Sequence, residues 1–182
     1  MDHLRYSGLS FETQRTAFLD IVSADPLIDE TLSRVRALGL PDWLVVSGAL
    51  YNSVWNHLTA KPSGYGIRDV DLFYFDESDL SYEAEDTVIR RAAKQFEGLT
   101  LSVEVRNQAR VHLWFEARFG GSYPRLSSSA EALSYFASKT IRSALDSAPM
   151  GNSRSWRRSG STTSSRFALP RTVHWIISRR TR

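Results

Sequence analysis

The stretch Asp69-Val70-Asp71-Leu72-Phe73-Tyr74-Phe75 constrains the fold more than any other part of this chain. Successive side chains of a strand point to opposite faces, so Asp69 and Asp71 share one face and Val70 and Leu72 share the other. Two like charges on one face of a strand repel, and a plain sheet has little reason to keep both.

Ser10 is placed to cap a helix through FETQRTAFLDIVSAD, where Phe11, Phe18, Leu19 and Val22 fall near one face. Pro26 opens a second helix carrying Leu27, Ile28, Leu32, Val35 and Leu38, which Gly39 ends and Pro41 stops. Residues 43–46 read as a short buried strand that runs through Ser47-Gly48 into a helix over ALYNSVWNHL. KPSGYG (61–66) is a loop on its Pro and Gly content. Tyr82 to Phe96 reads as a helix, Leu99 to Val105 and Val111 to Phe115 as strands, and Ser129 to Ala137 as a last short helix. The alternating order predicts an α+β fold, a mixed β-sheet flanked by helices.

Composition sets the class. With 182 residues, 42% apolar and 24% charged, the chain is the size of one domain and can build a core. The absence of cysteine excludes disulfides and thiolate metal sites and suits a reducing compartment. MDHLRYSGLSFETQR lacks the apolar run of a signal peptide, and the longest uncharged stretch, 43–60, is too polar to span a membrane. A soluble cytoplasmic protein with no membrane partner is expected.

Charge divides the chain in two. Residues 1–140 hold 14 basic and 19 acidic residues, a net of −5. Residues 141–182 hold nine Arg against Asp146 alone, a net of +8. The boundary marks a domain over 1–140 and a basic Ser/Arg-rich tail over 141–182. That tail is either disordered, a nucleic-acid arm or an anionic-surface anchor, although Trp156, Trp175, Ile176 and Ile177 are unusual for disorder.

Three features carry chemistry. The Ser47-Gly48 turn presents free backbone N–H groups at a helix N-terminus, where a phosphate can approach closely. Asp69 and Asp71 repel each other unless a divalent cation sits between them, and carboxylate oxygens are hard ligands suited to Mg²⁺. A solvent-facing strand end is the competing reading of that pair. Glu104 adds a third acid inside Leu101-Ser102-Val103-Glu104-Val105. Together the three form the layout of a two-metal phosphoryl- or nucleotidyl-transfer site. Arg68, Arg106, Asn107 and Arg110 are nearby candidates for phosphate or acceptor contacts, each with fold support or solvation as its alternative. His57 and His112 have no zinc-ligand spacing and read as structural. The acidic run from Asp76 to Asp86 reads as a solvated loop and helix start, and Gly64 and Gly66 lack the context of a dinucleotide fingerprint.

These motifs occur in the order VVSGALYNSVW (45–55), RDVDLFYFD (68–76) and VEVRNQARVHLWF (103–115). In that order and spacing the chain resembles, over roughly residues 26–140, the nucleotidyltransferase-like family of the DNA polymerase beta superfamily, and is similar to its bacterial branch. It departs from the pattern in having Ser-Gly-Ala where Gly-Ser is usual. The resemblance implies a polymerase-beta-like fold and a metal-dependent transfer of a nucleoside monophosphate from an NTP to an acceptor hydroxyl, with release of pyrophosphate. It further implies that Asp69, Asp71 and Glu104 hold Mg²⁺ (or Mn²⁺) and are catalytic. Ser47 and Gly48 would bind the β- and γ-phosphates, with Arg68 and Arg106 as nucleotide contacts. The partners are then an NTP and an unassigned acceptor, nucleic acid being the less favoured one. The alternatives are a non-catalytic nucleotide- or nucleic-acid-binding protein and an inactive truncated family member.

The resemblance stops after Thr140, where the family continues with an Ala-Pro-Phe-Gly-Leu-Asp-Asp stretch. Read one nucleotide earlier, the codons of Ser155 to Arg166 permit Val-Ala-Pro-Phe-Gly-Leu-Asp-Asp-Ile-Phe-Ser, and those of Pro170 to Val173 permit Pro-Asn-Arg. A nucleotide lost near codon 140 is therefore expected, which makes the tail an out-of-frame product.

Overall fold

A computed structural model describes residues 3–46 and 48–135 together with the backbone of residues 144–146. Two helices come first, α1 (Phe11–Ala24) and α2 (Pro26–Leu38). Ser10 Oγ accepts the Thr13 N–H to cap α1, Pro26 opens α2, and Gly39 closes α2 in the left-handed region at φ 62°. The chain continues as β1 (Leu44–Val46), α3 (Gly48–Thr59), β2 (Asp69–Tyr74), α4 (Tyr82–Gln95) and β3 (Ser102–Asn107). It then forms α5 (Val111–Phe119), α6 (Ser129–Ala132), a 3₁₀ turn over Leu133–Tyr135 and β4 (Ala144–Asp146).

The four strands lie in the order β3-β2-β1-β4. β1 is antiparallel to both β2 and β4, while β2 and β3 are parallel, so the sheet is mixed. β4 begins past residue 140, where the sequence places the end of the domain. No helix among the described residues is long and apolar enough to cross a membrane.

The alternation in β2 decides which side is covered. Val70, Leu72 and Tyr74 are buried and join Phe18, Ile28, Val35, Leu50 and Val54 from α1, α2 and α3 in one core, with Ala92 of α4. Each fully buried aliphatic or aromatic side chain contributes roughly 1.5–3 kcal/mol relative to exposure. The opposite face has only a small apolar cap, in which Leu133, Phe73 and Ala130 pack with Leu44 and Val46. Asp69, Asp71 and Glu104 lie beyond that cap.

Several sequence expectations are corrected. Val111 to Phe115 is the first half of helix α5, not a strand. The Asn107 side chain accepts the N–H groups of Asp76 and Ala109 and donates to the Asp76 carbonyl, so the chain turns at the end of β3. The Leu113 N–H then bonds the Arg110 carbonyl, and Gly120 ends the helix at φ 74°. The third strand occupies 102–107 rather than 99–105, because Leu99 is still held to the Phe96 carbonyl in the turn after α4. The last helix is α6 followed by the 3₁₀ turn, and residues 136 and 137 lie outside the described residues.

Candidate active site

Backbone register assembles the carboxylates. Asp71 pairs with Val46 on β1 and with Glu104 on β3, while Asp69 pairs with Ser102. Neighbouring strands lie about 4.8 Å apart, so Asp71 and Glu104 are side by side on one face. Val46 is two residues before Gly48, which brings the first turn of α3 to the same end of the sheet. Asp69 and Glu104 are exposed and Asp71 is half-buried.

Gly48 opens α3, and the N–H groups of a first helical turn have no partner within the helix. A Cβ added at Gly48 would meet only the Tyr51 hydroxyl, at 3.8 Å, and Gly48 is not left-handed. The glycine is therefore required neither by its backbone angles nor by crowding, since 3.8 Å is an ordinary van der Waals contact. Ser47 lies outside the described residues.

The two arginines differ. Arg106 shares the carboxylate face, two residues from Glu104 on β3, and its guanidinium stands 3.8 Å from the Glu104 carboxylate. Arg68 is exposed just before β2, and its carbonyl accepts the Ser102 hydroxyl at 3.4 Å.

Asp69, Asp71 and Glu104 offer hard oxygen donors on adjacent strand positions, a donor set that fits Mg²⁺ or Mn²⁺. Their side chains do not converge as placed: among the described residues no three Asp, Glu or His side chains are grouped to hold a metal. Like charges in register repel, and Glu104 leans toward Arg106 instead.

Asn107 and Arg110, candidates for substrate contact on sequence alone, serve the fold. Arg110 is buried, pairs with the Glu85 carboxylate, and donates from Nε to the Leu80 carbonyl at 2.8 Å. Glu85 also accepts the Asn107 N–H at 2.8 Å. The acidic run is accordingly not wholly solvated, because Glu85 within it is buried. Burial beside Glu85 and Asp76 pushes the Tyr74 phenol well above its ordinary range. His57 is exposed and His112 half-buried.

Sequence reasoning missed two buried carboxylates, Glu85 and Asp25. Asp25 precedes a proline at the start of a helix, a capping signal that was open to reading. Glu85 gives no such signal, because its partner Arg110 is 25 residues away.

Helices α1 to α4 thus cover one face of the mixed sheet, and the other face carries the paired acids of β2, Glu104 of β3 and, at the same end, Gly48 opening α3. The family described as Nucleotidyltransferase matches residues 33–156, and the chain belongs to it. That match reaches 16 residues beyond the domain end expected at 140. A solved structure described as revealing "a CCA-adding enzyme head domain" is similar at 23% identity, covering 76% of this chain and 73% of its own, with a TM-score of 0.56. No curated protein matches the chain. The protein is a nucleotidyltransferase by family, and the structural likeness supports the fold.

Proposed function

We propose that the protein transfers a nucleoside monophosphate from an NTP to an acceptor hydroxyl. The acceptor oxygen forms a bond to the α-phosphorus, the bond to the bridging oxygen breaks, and pyrophosphate departs. The observation that carries this reading is the register of Asp71, which stands between Glu104 on one side and the strand leading to Gly48 on the other.

In this reading the amides around Ser47 and Gly48 bind the β- and γ-phosphates, and Arg106 and Arg68 add positive charge for the triphosphate. Asp69, Asp71 and Glu104 hold Mg²⁺ or Mn²⁺, which when bound neutralises charge on the triphosphate and leaving group. Glu104 also helps to activate the acceptor hydroxyl. The setting is cytoplasmic. The solved neighbour is described as revealing a CCA-adding enzyme head domain, so RNA belongs among the acceptors to be tried.

Labelled NTPs with Mg²⁺ and a panel of RNA, protein and small hydroxyl acceptors test the reading. Transfer with pyrophosphate release that EDTA abolishes supports it; metal-independent transfer, or none with any NTP, overturns it.

Within the tail over 141–182, β4 pairs with β1 and the family match runs to residue 156, so the out-of-frame product of the same proposal begins after β4 rather than near codon 140. Sequencing the gene across codons 135–160 in close relatives checks this, and an unbroken frame identical to this one contradicts it. The net charge of +8 in 141–182 favours a second reading, nucleic-acid binding by the tail. Binding that falls steeply with salt and vanishes on removing 141–182 would favour it.

A further inference from the structure

Asp25 is only 9% exposed, and the bonds it makes come from three different parts of the fold. Its Oδ1 accepts the Leu27 N–H at 3.0 Å, which caps α2, and also the Ser63 hydroxyl at 2.5 Å. Its Oδ2 accepts the hydroxyl of Ser53, a buried residue midway along α3. Capping α2 needs only the first of these bonds. The other two tie α3 and the loop that follows it to one carboxylate.

That loop joins the two halves of the candidate site. α3 begins at Gly48, and the loop after it returns the chain through Ser63 to Asp69 at the start of β2. The loop is held elsewhere as well. Asn56 Nδ2 donates to the Tyr65 carbonyl at 3.0 Å, and the Lys61 N–H bonds the Asn56 carbonyl at 2.8 Å. Gly64, at φ 77°, is pressed on α2 so closely that a Cβ there would lie 3.1 Å from a Leu27 methyl. Sliding α3 or relaxing the loop would therefore change the separation between the Gly48 amides and the Asp69 and Asp71 carboxylates.

We propose that Asp25 is a positioning residue for nucleotidyl transfer: through Ser53 and Ser63 it fixes the amide end of α3 relative to the carboxylates of β2. The inference rests on the function proposed above. Misplacing reacting groups by about 1 Å costs on the order of 10²-fold in rate, so a node that sets this separation acts mainly on turnover.

The test uses the full chain with Ser63→Ala, the double change Ser53→Ala with Ser63→Ala, and Ser63→Thr, which keeps the hydroxyl. Turnover with Mg-NTP falls about tenfold or more in the alanine variants while KM for the nucleotide changes less than about twofold, and Ser63→Thr restores it. Hydrogen exchange supplies a readout independent of activity. The double variant exchanges faster at 48–51 and 69–72 as well as in the loop, while 102–107 is unchanged. Unaltered turnover, or faster exchange confined to 61–66, overturns the proposal. A wild-type chain inactive with every NTP contradicts the functional reading instead, and the exchange comparison still decides whether Asp25 couples the two elements.

Discussion

On the helix-covered side of β2, Val70 and Leu72 are fully buried and Tyr74 is 2% exposed, whereas the alternating residues Asp69, Asp71 and Phe73 are exposed or half-buried. The same six residues thus serve two purposes separated by parity. Apolar burial on one side fixes the strand; the other side carries the two carboxylates that the proposed function assigns to a cation. Stability and activity should consequently separate along a single strand.

The largest effect is expected on the open face. Asp69→Asn with Asp71→Asn removes a charge stabilisation of several kcal/mol, equivalent to about 10³-fold in turnover, while the melting temperature changes little. Measuring turnover and melting on the same preparation checks both halves of the statement, and a large loss of stability would break the contrast. On the covered side, Arg110→Met strands the buried Glu85 carboxylate and should cost about 3–5 kcal/mol in denaturant unfolding. Leu72→Ala, beside Asp71 but facing the core, should cost about 2–5 kcal/mol. Ser10→Ala removes the α1 cap at about 1 kcal/mol with no change in turnover.

The smallest effect is a pH dependence of two carboxylates outside the candidate site. Hydrogen bonds from the Ser81 N–H and hydroxyl hold Asp79 below its ordinary 3.8, and those from Ser127 hold Glu131 below 4.5. A depressed folded-state value means the contribution is complete above the ordinary value and is lost as pH falls through the depressed one. Glu131→Gln should therefore lower the melting temperature slightly at pH 7 and leave it unchanged near pH 2.

Legibility in the sequence followed the range of the determining interactions. Ser10, Pro26 and Gly39 act within one turn, and the bounds of α1 and α2 could be read from them. The parity of β2 was equally local. α5 was misread because Val111 to Phe115 is bulky throughout and suits strand or helix; the decision is made by Asn107 bonding to Asp76, 31 residues away. β3 starts three residues later and ends two later than expected, because Leu99 is still tied to Phe96 in the turn after α4 and the pairing through Asn107 is set by β2, more than thirty residues away. Of the candidate site, residue types and order were readable, and the side-by-side placement of Asp71 and Glu104 follows from that same long-range register. The separation between Gly48 and the carboxylates depends on Asp25, whose hydroxyl partners Ser53 and Ser63 lie 28 and 38 residues away.

The most direct test is thermal unfolding of the full chain with each NTP, in Mg²⁺ and in EDTA, beside the Asp69→Asn, Asp71→Asn double variant. At 100 times Kd, ligand binding adds about 2.7 kcal/mol and raises the transition measurably. The account predicts a rise with one or more Mg-NTPs that disappears in EDTA and in the double variant. An equal rise in EDTA, or in the double variant, would contradict it.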